Sequence, residues 1–183
     1  MQKNKVQIQV PSVIIAGWSG SGKTTLVERL IPALKKNKIK VGTVKHHHGS
    51  MELDKPGKDS FRHMKAGADK VIVSSPQSIG MVMTVDHEPL PNELIPLMSD
   101  MDIVIIEGYK MEKYPKIEIF RSAVHEKPCF LDDPELIAVA SDAELSLHVP
   151  VFDLNNPEQL ADYICEYFSI SNPHNVHKKT DQK

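Results

Sequence analysis

The chain has 183 residues, with 22 Lys and Arg against 24 Asp and Glu and a formal net charge of −2. That length suits one domain burying roughly 70% of its unfolded surface, and 40% hydrophobic with 25% charged residues excludes a disordered or fibrous chain. Near-neutral charge removes a whole-surface attraction for nucleic acid, two cysteines without a C-x-x-C pair make neither a disulfide framework nor a thiolate zinc site, and no apolar run nears the ~20 residues of a bilayer span; the expectation is a cytoplasmic protein with no nucleic-acid or membrane partner.

Short Val- and Ile-rich stretches alternate with helical patterns, the rhythm of an α/β domain with a mainly parallel sheet flanked by helices. The first predicted strand, 12–16, runs into Gly17-Trp18-Ser19-Gly20-Ser21-Gly22-Lys23-Thr24, which fits G-x-x-x-x-G-K-[ST], then Thr25 and a predicted helix over 22–36. Glycines let successive N–H groups turn inward around a phosphate, and the helix N-terminus adds unpaired donors and partial positive charge. Lys23 is then expected on the β- and γ-phosphates of a nucleotide and Thr24 on Mg²⁺. Pro32 lies inside the helical pattern and predicts a bend or an early end there.

A second strand, 39–44, leads into Lys45-His46-His47-His48. Neighbouring residues on an extended chain point apart, so only His46 and His48 share a face, and two histidines alone make an incomplete metal site. Residues 46–57 read as a long polar loop. Its end, Asp54-Lys55-Pro56-Gly57-Lys58-Asp59-Ser60, suits a switch that orders with nucleotide, with Asp54 or Asp59 near the metal and Lys58 near a phosphate; a solvated charge run with Asp59 or Ser60 as a helix cap is the plain alternative. A helix is predicted over 58–67, ended at Gly67.

Strands follow at 70–74 and 79–84, then a helix over 90–99. Asp102-Ile103-Val104-Ile105-Ile106-Glu107-Gly108 reads as a fully buried strand with a carboxylate at each end, and ligands of parallel sheets sit at carboxyl ends, which favours Glu107 over Asp102 as a metal contact. The many short strands after residue 70, including the alternating Lys116-Ile117-Glu118-Ile119, leave edges that need covering, for which a homodimer is a natural solution. Asp142, just past a strand at 136–140, is placed to accept the paired donors of guanine. A strand at 149–152 and a helix from Pro157 to Phe168 close a single nucleotide-binding domain, 1–168, leaving 169–183 as a polar tail.

Gly17 to Thr25, the Lys45–His48 run, Asp54 to Ser60, Lys65-Ala66-Gly67-Ala68 and Ile106-Glu107-Gly108-Tyr109-Lys110 resemble, in order and spacing, the molybdopterin-guanine dinucleotide biosynthesis adaptor proteins, MobB. One departure is Gly49, where the family often has a further histidine. The resemblance implies a P-loop NTPase-like fold with extra antiparallel strands. It also implies a homodimer that binds GTP and hydrolyses it slowly, assisting the molybdopterin guanylyltransferase that attaches GMP to molybdopterin, alongside other molybdenum cofactor proteins. Gly20 to Thr25 match the family's phosphate loop, and Thr24 and Glu107 its magnesium surroundings.

Two other classes use the same cradle. A small-molecule kinase would need an acceptor pocket and a lid, and no arginine-rich flap stands between Ile79 and Pro115. A metallochaperone GTPase would carry its metal through His46 and His48. Slow turnover is expected, because no arginine stands next to the phosphate loop as an obvious finger, and Arg29, Arg62 and Arg121 each approach it only if the fold or a dimer mate brings one in.

Overall fold

β1 (Ser12–Ala16) is buried along its whole length, which is why it reads as an unbroken apolar run rather than an alternation. Val13 and Ile15 face one layer, where Leu26, Leu30 and Leu34 of α1 (Lys23–Lys36) and Leu160 and Ile164 of α4 (Pro157–Tyr167) pack on the sheet. Ile14 and Ala16 face the other layer, with Ile95, Met98 and Tyr109. The computed structural model describes residues 10–47, 49 and 55–170. His48, Asp54 and residues 171–183 of the expected tail lie outside them.

Around β1 lie β2 (Val41–Lys45), β5 (Ile103–Glu107), β6 (Lys116–Phe120), β7 (Leu136–Ser141) and β8 (Val151–Asp153), in the order β2-β5-β1-β6-β7-β8 and all parallel. The chain gathers into two units, one formed up to His46 and from Pro91 onward, the other by His47–Leu90. The second unit holds α2 (Asp59–Lys65) and an antiparallel pair, β3 (Lys70–Ser74) and β4 (Ile79–Met83). In that pair Val71 is buried, while Ile72, Ile79, Met81 and Met83 share the opposite, exposed face.

Three expectations change. α1 continues through Pro32 to Lys36; one lost backbone donor is outweighed by the buried side chains of Leu30, Ala33 and Leu34 on either side. The helix expected over 90–99 is one short α-turn, α3 (Pro91–Leu94), followed by a 3₁₀ turn at Ile95–Met98, since Pro96 supplies no N–H and disfavours helical geometry at Ile95. β6, expected among the strands whose edges need covering, is an interior strand between β1 and β7 and is buried at every residue.

The charges on β6 are satisfied internally. The Lys116 ammonium, 2% exposed, donates to the Glu112 carbonyl at 2.7 Å and pairs with Asp133 at 3.0 Å. The Glu118 carboxylate, 1% exposed, accepts the Cys129 N–H at 2.6 Å and the Phe130 N–H at 3.0 Å, which folds the β6–β7 connection back onto the sheet.

Candidate functional site

Past Ala16 the chain leaves the sheet through Gly17, Gly20 and Gly22, at φ +135°, +78° and +92°. Glycine is required at Gly17, where a Cβ would stand 2.6 Å from the Ile119 carbonyl oxygen. Gly22 is the N-cap of α1 and offers no capping side chain, so the first-turn N–H groups are left for a ligand. The Ser21 hydroxyl is buried within the loop with no hydrogen-bond partner among the described residues, an orphan polar group at the place where an anion would sit.

Lys23 arches over this loop and donates to the Gly17 carbonyl at 3.0 Å and the Trp18 carbonyl at 2.7 Å. Burial pushes its ammonium below the usual lysine range; Glu107 opposes this, while Lys110 and Lys45 add to it. The next residue, Thr24, donates its hydroxyl to Glu107, 2.9 Å from Oε1 and 3.1 Å from Oε2. Lys45 Nζ is 3.5 Å from Glu107 Oε1 and 3.4 Å from Thr24 Oγ1. Strand register produces the convergence, because Glu107 ends β5 beside Lys45 of β2 and Ile15 of β1. A hydroxyl and a carboxylate in one place at the carboxyl edge, one residue from the loop lysine, form a donor set that fits Mg²⁺ on a bound phosphate.

After Glu107 the backbone is left-handed twice, at Gly108 (φ +101°) and Tyr109 (φ +51°). A Cβ at Gly108 would meet His46 Cβ at 2.5 Å. The turn lays Tyr109 on His46, ring centroids 4.2 Å apart, while the His46 N–H donates to the Glu107 carbonyl at 2.8 Å. Strain of this kind clusters at functional sites.

The opposite flank of the loop is formed by the carboxyl ends of β6 and β7. Arg121 Nε donates to the Ser21 carbonyl at 2.9 Å, and its Nη1 lies 3.9 Å from Asp142 Oδ2. Asp142 Oδ1 accepts the Ser122 N–H at 2.9 Å. Trp18, half exposed, stacks on His125 at 4.6 Å between centroids. The structure thus brings together Gly17, Trp18, Ser21, Gly22, Lys23, Thr24, Lys45, Glu107 and, on the far flank, Asp142, with Ser19, Gly20 and Thr25 in the same loop-helix segment.

Other expected residues stand elsewhere. Asp102 is at the amino end of β5, where its carboxylate accepts the Lys40 N–H at 2.7 Å, so it braces the start of β2. Lys58 is the N-cap of α2, and Asp59 lies 3.5 Å from Arg62 one turn on, within the separate unit of His47–Leu90. Among the described residues no three of His, Cys, Asp and Glu gather as a metal-binding group, and none of their helices is long and apolar enough to cross a membrane. The Arg121–Ser21 link and the Trp18–His125 stack gave no sequence signal, since each joins residues about a hundred positions apart.

Comparison with known proteins places this geometry in context. The family model described as MobB, molybdopterin guanine dinucleotide synthesis protein B, matches residues 12–142. The molybdopterin-guanine dinucleotide biosynthesis adapter protein of Escherichia coli (strain K12) is 42% identical over 168 residues, covering 89% of this chain and 96% of its own. The protein of the same name from Haemophilus influenzae is 38% identical over 159 residues, covering 85% and 88%. The crystal structure of Bacillus subtilis MobB superposes with a TM-score of 0.67 at 27% identity, covering 85% of this chain and 96% of its own.

Proposed function

The chain belongs to the MobB family, and from that premise we propose that it is an adapter in molybdopterin guanine dinucleotide biosynthesis that binds GTP with Mg²⁺ in the cradle of Gly17 to Thr25. The observation that carries this reading is the meeting of Lys23, Thr24 and Glu107 at the mouth of a glycine loop that opens a helix. Three ammonium groups, of Lys23, Lys45 and Lys110, against the Glu107 carboxylate leave this edge positive, which suits a triphosphate whose charge Mg²⁺ only partly cancels. Lys23 would exchange the Gly17 and Trp18 carbonyls for phosphate oxygens, and first-turn N–H groups of α1 would hold the phosphate from below. The Thr24 hydroxyl and the Glu107 carboxylate would hold Mg²⁺, which would supply neutralising charge to the bound phosphates.

Hydrolysis is slow in this reading, because Arg121, the arginine at the loop, donates its Nε to the Ser21 carbonyl and braces the loop from its flank. The Asp142 carboxylate at the β7 end, with Oδ1 held by the Ser122 N–H and Oδ2 facing Arg121, stands on the flank left for the nucleoside. The partner is the cytoplasmic guanylyltransferase that joins GMP to molybdopterin, and GTP binding would set the state in which the adapter meets it. Thermal unfolding with GTP and ATP, each with Mg²⁺ or with EDTA, tests the core of the proposal. GTP with Mg²⁺ is expected to raise the midpoint most; a midpoint that no nucleotide moves would end the reading. In Glu107→Gln the Mg²⁺-dependent gain in GTP affinity is expected to shrink about tenfold, whereas an unchanged ratio of affinities with and without Mg²⁺ would remove Glu107 from the metal's surroundings.

We also propose a homodimer assembled through the β3–β4 pair. A two-stranded sheet is marginal alone in water, and Ile72, Ile79, Met81 and Met83 present a contiguous exposed apolar face, Ile79 at 75% exposure. The double variant Ile72→Lys, Met81→Lys is expected to turn a dimer into a monomer in light-scattering chromatography. A dimer that survives the double change uses another surface.

A further inference from the structure

The two flanks of the cradle are chemically different. On the β5 and β2 side stand Thr24, Glu107 and Lys45; on the β6 and β7 side stand Arg121, Ser122 and Asp142. A nucleoside triphosphate is unsymmetrical in the same sense, with its metal-bearing phosphates at one end and its base at the other. Phosphates and metal seated at Thr24 and Glu107 leave the nucleoside to run over the carboxyl ends of β6 and β7, where ligands of a parallel sheet are received.

Arg121 is the side chain standing there. An ideal Cβ on Gly22 would lie 3.4 Å from both Nε and Nη2 and 3.9 Å from Cζ. Two equal distances with the central carbon farther away mean that the guanidinium meets the loop by its Nε–Nη2 edge, so its flat faces are turned aside from the loop. The side chain remains 39% exposed, and Nη1 extends toward Asp142, whose other oxygen is anchored on the Ser122 N–H. The Ser21 carbonyl holds the Nε–Nη2 edge and the Asp142 carboxylate, 3.9 Å from Nη1, attracts the other end of the group, so both contacts are made at the rim of the plane.

We propose that Arg121 is the nucleoside platform of this site: its guanidinium face stacks on the purine, and Asp142 is the positioning residue that fixes the plane. The proposal rests on the nucleotide reading above and adds the residue that holds the base. A planar cation stacks on a heteroaromatic ring where lysine, a compact point charge, does not.

The test compares the parent with Arg121→Lys and Arg121→Ala, titrated with Mg²⁺·GTP and with Mg²⁺·tripolyphosphate, which carries the phosphates and no nucleoside. Because Arg121 also braces the loop through Ser21, both variants are expected to weaken both ligands, but the loss of GTP affinity is expected to exceed the loss of tripolyphosphate affinity about tenfold or more. Equal losses for the two ligands would show that Arg121 only props the phosphate loop through Ser21, and GTP affinity fully retained in Arg121→Lys would show that charge alone matters; either result overturns the platform. Unfolding midpoints without ligand identify a variant damaged in folding, for which the lysine variant stands in. A parent that binds neither ligand fails at the earlier step, the nucleotide site itself, and is distinguished from failure of the platform by that pattern.

Discussion

Lys23→Ala is expected to lower affinity for Mg²⁺·GTP by roughly a hundredfold or more, since two charge-assisted hydrogen bonds at ~1.5–3 kcal/mol each are at stake. The chain carries its own reporter, because its single tryptophan, Trp18, sits inside the loop and stacks on His125. Parent emission should change on adding nucleotide, and the variant should stay silent at concentrations that saturate the parent. A Lys23→Ala protein that titrates like the parent would falsify the assignment of the cradle. The pH dependence follows from the lowered pKa of Lys23, caused first by burial. Binding uses the ammonium form, so affinity should be flat near neutral pH and fall as pH rises through that depressed value, earlier than for an ordinary lysine.

The second large effect concerns folding. Lys116→Met removes the buried cation beside Asp133 and is expected to cost about 1–3 kcal/mol in urea unfolding, below the scale of a fully buried pair because the Asp133 side chain is 24% exposed. The double variant Lys116→Met, Asp133→Leu should recover most of that loss, because it leaves no stranded charge. Acid separates the two further. Burial works against the Asp133 carboxylate, but the Glu135 N–H and Lys116 outweigh it and hold the carboxyl below the usual range. A depressed carboxyl contributes stability that is present above its unfolded pKa and lost as pH falls through its folded one. Parent stability should therefore decline on the acid side of pH ~4 more steeply than that of the double variant; superimposable acid limbs, or a single variant as stable as the parent, would show the pair to be energetically idle.

The readable parts of the molecule share a cause. β1 and β5 are buried on both faces, so burial writes itself as continuous Val and Ile, and the glycine loop is legible because backbone geometry demands residues that nothing else supplies. β6 was misleading for the converse reason. Lys116 and Glu118 alternate with Ile117 and Ile119 as a solvated face would, and the Glu112 carbonyl, Asp133 and the Cys129 and Phe130 amides make burial of those charges tolerable. Within the site, Lys23, Thr24 and Glu107 were visible from local pattern and strand polarity. Arg121 was visible only as one of three arginines, since what brings it to Ser21 is the pairing of β6 with β1, a long-range property with no local signature.

That pairing bears on how the protein is made. β1 is synthesised well ahead of its two lateral neighbours, β5 and β6, which follow roughly ninety to a hundred residues later. At ordinary rates of translation this is an interval of about 5–20 s. During it the glycine loop has neither the Glu107 carboxylate nor the Ile119 backbone to shape it, so nucleotide cannot guide the early chain, and fragments ending before β6 should show no ligand-dependent protection from protease. Such distant pairings also predict slow refolding from denaturant compared with helical proteins of the same size.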